Sequence, residues 1–173
     1  MAKPTKAIGR GEFKTPKVSI SAKASKKERA AALAALSKGI HSAAVSIETE
    51  LSRLLDEALE ASVWSWPRPT ARKNGSFAGA SRNIVDTGKL KSSKKVTTKF
   101  LQTKTTFNVA YLSPYAWMVH EGGYVQPYGR TDLRASYIPG RPWVKAVMEG
   151  GVNGIQPIDV VNRMADAVST AWG

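Results

Sequence analysis

The stretch YAWMVHEGG, residues 115–123, holds the side chains of this chain best suited to chemistry. His120 stands beside Glu121 and is followed by Gly122-Gly123; it is one of two histidines. An imidazole next to a carboxylate points to a general base, an activator of a nucleophile, or a metal ligand. Each of these needs more than the stretch provides. Zinc takes three or four protein ligands, while the chain has no cysteine and its other histidine, His41, is distant in sequence. HEGGY is not the H-E-x-x-H signature, and a glycine pair ends the helix that signature requires. A general base also needs an orienting acid, yet consecutive residues on a helix do not face each other. The remaining acids over residues 61–173 are Asp86, Asp132, Glu149, Asp159 and Asp166, and no spacing pairs them. GRGEF and EGGVNG are glycine-rich without forming a P-loop or dinucleotide fingerprint. The expectation is therefore no catalytic residue, no metal site and no cofactor. His120 is read as lying near a helix C-terminus, with the glycines reversing the chain.

The elements that position this stretch follow from periodicity. From Lys26 to Ser62, Leu33, Leu36, Ile40, Ala44, Ile47, Leu51, Leu54 and Ala58 recur at steps of three and four. That spacing predicts one long amphipathic helix, with Ser25 as N-cap and Glu28 completing a capping box. His41 lies beside its apolar stripe as a partly buried histidine. Residues 63–83, rich in Trp, Pro, Gly and Arg, read as an irregular loop. Asp86 or Thr87 then caps a short turn, Gly88 suits a left-handed backbone, and Leu90 points inward between Lys89 and Lys91. KKVTTKFL and KTTFNVAYL, residues 94–101 and 104–112, predict a β-hairpin in which Val96, Thr98 and Phe100 meet Phe107, Val109 and Tyr111. Pro114 is placed at the first position of a short helix with Tyr115, Met118 and Val119 on one face. A long loop, 124–140, separates it from a helix starting at Pro142. A terminal helix over 156–172 has Asp159 in its first turn and Ile158, Val161, Ala165, Val168 and Trp172 on one face. Helices and strands are segregated, which predicts an α+β fold: a long N-terminal amphipathic helix and a C-terminal helix packed on a small antiparallel sheet, with a long projecting loop.

Composition narrows the partners. The 173 residues, 42% hydrophobic, suit a single domain with its own core. Residues 26–173 are read as that domain and 1–25 as a basic flexible arm, dispensable for folding, with KVSIS at 17–21 as a possible edge strand. The N-terminus has no apolar run of a secretory signal, and no window approaches the ~20 apolar residues of a membrane helix, so no membrane partner is expected. The net charge is +13 and uneven. Residues 1–27 hold eight basic residues and one acid; residues 61–108 hold ten basic residues and one acid. Arg72, Lys73, Lys89, Lys91, Lys94 and Lys95 are the candidates to face a polyanion, with a solvated surface as the alternative. No zinc finger, basic zipper, RNP motif or helix-turn-helix accompanies them.

Three pieces together resemble one family. RNIVDTGKLKSS (82–93) looks like an acid-Thr-Gly-x-Leu-x-x-Ser signature carried by Asp86, Thr87, Gly88 and Leu90. NVAYLSPYAWMVHEGG (108–123) is similar to a strand followed by Tyr-Ala-x-x-Val-His/Glu-x-Gly, carried by Tyr115, His120, Gly122 and Gly123. IPGRPWVKAVMEG (138–150) is similar to an Arg-Pro-aromatic helix start, carried by Arg141 and Pro142. In this order over about residues 28–172, they resemble the neck or tail-completion proteins of tailed bacteriophages. The resemblance implies a structural virion protein, not an enzyme, synthesised and assembled in the host cytoplasm. It implies a homo-oligomeric ring, a hexamer by the symmetry of the tail, joining the head connector to tail-terminator or tail-tube proteins while viral DNA passes through. It also makes the YAWMVHEGG region a structural turn and 124–140 a variable loop projecting from the ring. Trp64, Trp66, Trp117 and Trp143 are candidate anchors at the ring edges, with core packing as the other reading. A basic DNA-binding accessory protein is the alternative function.

Overall fold

A computed structural model of the chain describes residues 9–14, 25–66, 70–71, 76–79, 81–85, 88–101, 104–125 and 136–172. The fold is α+β, as its sequence predicts. Helix α1, Lys26–Glu60, begins with the expected capping box: Glu28 N–H donates to Ser25 Oγ at 3.2 Å, and Ser25 N–H donates to the Glu28 carboxylate at 2.7 Å. Two backbone donors that a helix start leaves orphaned are thereby satisfied. The helix buries Leu36, Ala43, Ala44, Ile47, Leu51, Leu55, Ala58 and Leu59. Each leucine or isoleucine of that stripe contributes about 1.5–3 kcal/mol by leaving water. Leu33, read as part of the stripe, is exposed instead, because the first turns of α1 reach past the rest of the core. His41 is also exposed, stacked 4.5 Å from the Phe100 ring. By length and composition α1 resembles a membrane span, with mean hydropathy 1.3 over eighteen residues, contrary to expectation. Alanines raise that mean while burying little area each, and Ala43, Ala44 and Ile47 belong to the protein core.

The sheet contains a strand that the charge pattern conceals. Strands β6 (Lys94–Leu101) and β7 (Lys104–Tyr111) pair antiparallel with Val96 opposite Val109, Thr98 opposite Phe107 and Phe100 opposite Thr105, as the alternation predicts. On the other edge of β7 lies β1, Gly9–Lys14, running from Gly9 opposite Val109 to Lys14 opposite Lys104. The flexible arm assigned to residues 1–25 therefore holds an ordered strand. Its two glycines have low strand propensity, which hides it in the sequence, but β7 presents a row of backbone donors and acceptors that a short partner satisfies. The KVSIS segment lies outside the described residues, as does the Gln102-Thr103 turn.

The segment after α1 is more regular than its composition predicts. Strands β2 (Trp64–Ser65) and β5 (Ser81–Arg82) pair antiparallel, and β3 (Thr70–Ala71) pairs with β4 (Phe77–Ala78) further out. The Trp64 indole N–H donates to the Ala58 carbonyl at 2.7 Å, and the Ile84 N–H donates to the Leu59 carbonyl at 2.9 Å. These carbonyls belong to the last turn of α1 and have no partner inside the helix. The segment is thus fastened to the helix end that it leaves.

Gly88 has φ +76° and opens the single-turn helix α2, Lys89–Ser92, which buries Leu90. After β7 come α3 (Ala116–Glu121), β8 (Gly122–Val125), β9 (Ser136–Pro139), α4 (Trp143–Glu149) and α5 (Val160–Trp172). Helix α3 starts at Ala116, two residues after Pro114, and buries Ala116 and His120, while Tyr115 is exposed. The face predicted from Tyr115, Met118 and Val119 is therefore rotated, because the helix lies against Trp143 through His120. The long loop 124–140 is in part a two-stranded ribbon, β8 with β9. Helix α5 begins at Val160, and Asp159 precedes it and accepts the Asn162 N–H at 3.1 Å. Its inner face is Val160 and Met164 with Ala167 behind them, while Val161 and Ala165, predicted inside, are exposed. The Ile158 N–H donates to the Val147 carbonyl at 2.8 Å and sets this one-residue shift.

Two outcomes follow. A Cβ on Gly88 would meet nothing within 4 Å, so only backbone conformation opposes substitution there. Gly88→Val is expected to cost about 1–3 kcal/mol in a denaturant melt; an unchanged midpoint would contradict the left-handed assignment. Deleting residues 1–14 is expected to lower the melting temperature while leaving the far-UV helical signal, since it uncovers one edge of β7.

Candidate functional site

Two of the three sequence pieces, 108–123 and 138–150, meet around one indole. Trp143 is fully buried at the start of α4. Its ring stands edge-on to Tyr111 of β7 at 5.3 Å and to His120 of α3 at 4.9 Å. One residue before Pro142, the Arg141 N–H donates to the Val119 carbonyl at 3.0 Å. The Arg141 guanidinium is buried and lies 3.5 Å from the centroid of the Trp66 ring. A cation over an indole face gains electrostatically from the ring quadrupole, more so when water is excluded. The contact binds the excursion after α1 to the entrance of α4. Arg141 and Trp66 are 75 positions apart, and no local pattern announces the pair.

His120 has an orienting acid after all. Its Nδ1 lies 2.8 Å from Glu121 Oε1, although the two are consecutive. The helix ends at Glu121, so the Glu121 side chain can turn back toward the ring instead of continuing around the cylinder. Yet His120 is only 4% exposed, and its Nε2 is enclosed with no hydrogen-bond partner among the described residues. Burial lowers the imidazole pKa from its ordinary 6.5, and the Glu121 carboxylate opposes this only in part. Burial likewise pushes the Tyr111 phenol up. The arrangement is a neutral imidazole wedged against an indole, and it offers no nitrogen to a solvent-borne substrate. Among the described residues, no three His, Asp or Glu side chains come together as a metal set.

Glycine is required where the chain leaves α3. Gly122 has φ +81°, and a Cβ there would lie 2.4 Å from Gly140 N. A Cβ on Gly140 would lie 2.5 Å from the Glu121 carbonyl oxygen. Two backbones touch here without side chains between them. Gly123 meets nothing, so the pair that matters spatially is Gly122 with Gly140 rather than Gly122 with Gly123.

The remaining candidate residues separate by location. Asp86, Thr87, Arg72 and Lys73 lie outside the described residues. Trp64 and Trp143 are core residues and cannot anchor a ring edge; their nearest apolar partners are inside the same chain. Trp66 is half-buried under Arg141 and lines a cavity of about 330 Å³ with Leu90, Tyr115 and Val119. Trp117 is 44% exposed. On the ribbon, Tyr124 and Tyr137 face each other across β8 and β9, ring centroids 5.3 Å apart, and are 73% and 55% exposed. Sequence offered no sign of this aromatic pair, since the register that joins it spans residues outside any motif. Elsewhere, α1 and α5 flank a groove of about 590 Å³ whose walls include Ala35, Gly39, Ser42, Ala43, Ser46 and Ala167.

The polyanion-facing set is also corrected. Lys91 Nζ lies 2.6 Å from Glu60, and Lys94 Nζ lies 2.7 Å from Asp56 and 2.6 Å from the Ser52 carbonyl. Each is thus paired with an acid of α1 within the chain, Lys91 at the surface and Lys94 half-buried. Lys89 and Lys95 are exposed and carry no ion pair among the described residues.

Compared with protein-family models, with curated proteins and with solved structures, the chain matches none.

Gly122→Ala and Gly140→Ala are expected to destabilise the protein by several degrees in a thermal melt, and Gly140→Ala should do so although its backbone is not left-handed. As pH falls below about 6.5, the unfolded His120 takes up its proton before the buried one. Native stability should therefore fall from pH 7 toward the lowered pKa and level off beneath it for this group. A urea-melt series across that range, compared with His120→Phe, tests the sign: the substituted protein should show a flatter profile.

Proposed function

We propose that this chain is a structural subunit of the neck of a tailed bacteriophage, a tail-completion type of protein that closes into a ring between the head connector and the tail. The observation that carries the reading is the convergence of two of the three resembling pieces. The strand-helix-glycine piece and the Arg-Pro-aromatic piece are packed on each other through Tyr111, His120, Gly122, Gly140 and Trp143. Residues of a shared motif are then spent on architecture, with His120 enclosed rather than presented.

A ring of identical subunits needs two different surfaces on each copy, one fitting the other on the next. The chain offers such a pair. One is the protruding aromatic ribbon, Tyr124 and Tyr137, with Trp117 exposed on the preceding helix. The other is the groove between α1 and α5, whose floor of small residues, Gly39, Ser42, Ala43 and Ser46, is flanked by Lys38, Arg163 and Asp166. In this reading the ribbon of one subunit enters the groove of the next. Six copies match the symmetry of a phage tail, and the lumen passes DNA. The chain then belongs to the virion, contacts connector and tail-terminator or tail-tube neighbours, and catalyses nothing.

The test is the mass of the purified protein by light scattering and native mass spectrometry. A closed oligomer, expected as a hexamer, supports the reading; a strict monomer at tens of micromolar overturns it. Tyr124→Ser with Tyr137→Ser should shift the oligomer to smaller species without lowering the subunit melting temperature. Those side chains contribute little to the subunit core.

A further inference from the structure

The two faces of the sheet differ in chemistry. The inner face carries Val96, Phe107, Val109 and Tyr111, which pack toward α1 and α4. The outer face of β6 carries Lys95, Thr97 and Lys99. Register sets these beside Ala110, Asn108 and Thr106 of β7. The backbone of β1 pairs along the other edge of β7, with Arg10 opposite Asn108, Glu12 opposite Thr106 and Lys14 opposite Lys104. Lys95 and Lys99 are exposed and, unlike Lys91 and Lys94, have no ion pair among the described residues.

We propose that this outer face of the sheet docks the sugar-phosphate backbone of double-stranded DNA without reading its sequence. The chemistry fits phosphate: the Lys95 and Lys99 ammonium groups supply charge, and the half-buried Thr97 hydroxyl and Asn108 amide supply neutral donors, the usual partners of phosphate oxygens, while Thr106 is buried and takes no part. Four strand residues span about 13 Å, so Lys95 and Lys99 reach separate phosphates instead of sharing one. Base readout is not available, because no helix or ribbon on this face enters a groove. Single-stranded nucleic acid is disfavoured, since it binds through aromatic platforms and Phe100 belongs to the other face. An acidic protein partner is disfavoured too. Such an interface centres on a buried apolar anchor, and the rows from Lys95 to Lys99 hold none.

The proposal stands apart from the ring. A monomer that binds DNA this way removes only the ring, and a ring without DNA affinity removes only this face. The experiment is fluorescence anisotropy with a labelled random-sequence duplex of roughly 30 base pairs, titrated between about 50 and 200 mM salt. Binding in the range of about 10⁻⁶ to 10⁻⁴ M is expected, independent of sequence and falling steeply with salt. Lys95→Glu with Lys99→Glu should weaken binding at least about tenfold at the lowest salt and reduce the log–log salt slope by about 2, since each phosphate contact contributes roughly 0.9. Lys145→Glu, on the exposed side of α4, should leave both values unchanged, and a thermal melt of each variant verifies that it is folded. Absence of duplex binding, an unchanged slope in the double variant, an equal loss from Lys145→Glu, or tighter binding of the single strand would each overturn the proposal.

Discussion

The structure depends on the niche that Trp143 fills. Its indole is enclosed by the end of β7 through Tyr111 and by α3 through His120, and the backbone just before it is hydrogen-bonded to Val119. A ring of this size buries on the order of 200 Å². That area joins elements which local sequence would leave separate. The sheet cannot shift against α4 without opening the Tyr111 contact, and α3 cannot rotate without withdrawing His120. The fit at Gly122 and Gly140 belongs to the same constraint, because only bare backbones bring α3 and the β9–α4 link that close. The histidine that looks most chemical in the sequence is thus held in a position where packing decides its character.

Helix α1 does two jobs along its length. Its second half supplies Ile47, Leu51, Leu55 and Leu59 to the core, while acids beside them reach the sheet and the turn before it. Glu48 accepts from Thr98, Asp56 faces Lys94 and Glu60 faces Lys91. The net charge is thereby divided by architecture rather than by sequence position. Where a lysine comes within reach of α1 it is neutralised, and where a strand turns its other side outward the charge persists. Glu50 and Arg53 form a further pair on the helix, to which α5 adds Arg163 at 3.2 Å from Glu50. Exposed pairs of this kind contribute little stability individually; α5 is held chiefly by Val160 and Met164 in the core.

Sequence made much of the fold legible. The capping box at Ser25, the apolar stripe from Leu36 to Ala58, the hairpin register and the left-handed Gly88 all rest on interactions within a few residues or on strict alternation. What escaped is non-local. Strand β1 is recruited by an edge about a hundred residues away, and two glycines hide its tendency to extend. The inner faces of α3 and α5 were misjudged because a tertiary contact, Trp143 in one case and the Val147 carbonyl in the other, sets their rotation. For the candidate site, the glycines and the Arg-Pro start were visible, while the Arg141–Trp66 stack, the Tyr124–Tyr137 pair and the fate of each lysine needed three dimensions. The two tryptophans that prove to be core could not be told from interface residues by type alone.

The strand order β1-β7-β6 has a consequence for how the chain is made. The central strand β7 can pair with β6 as soon as the short turn between them closes, a local event on the microsecond scale. Strand β1 leaves the ribosome before α1 and must wait until β7 has emerged. Its closure spans roughly a hundred residues and carries the larger loop entropy. The sheet is therefore expected to be completed from opposite directions in time, its second-made edge sealed first and its first-made edge last. Until that final pairing, β7 offers the nascent protein an unsatisfied border, and the strand of this sheet that is made before the other two serves as its latest-arriving seal.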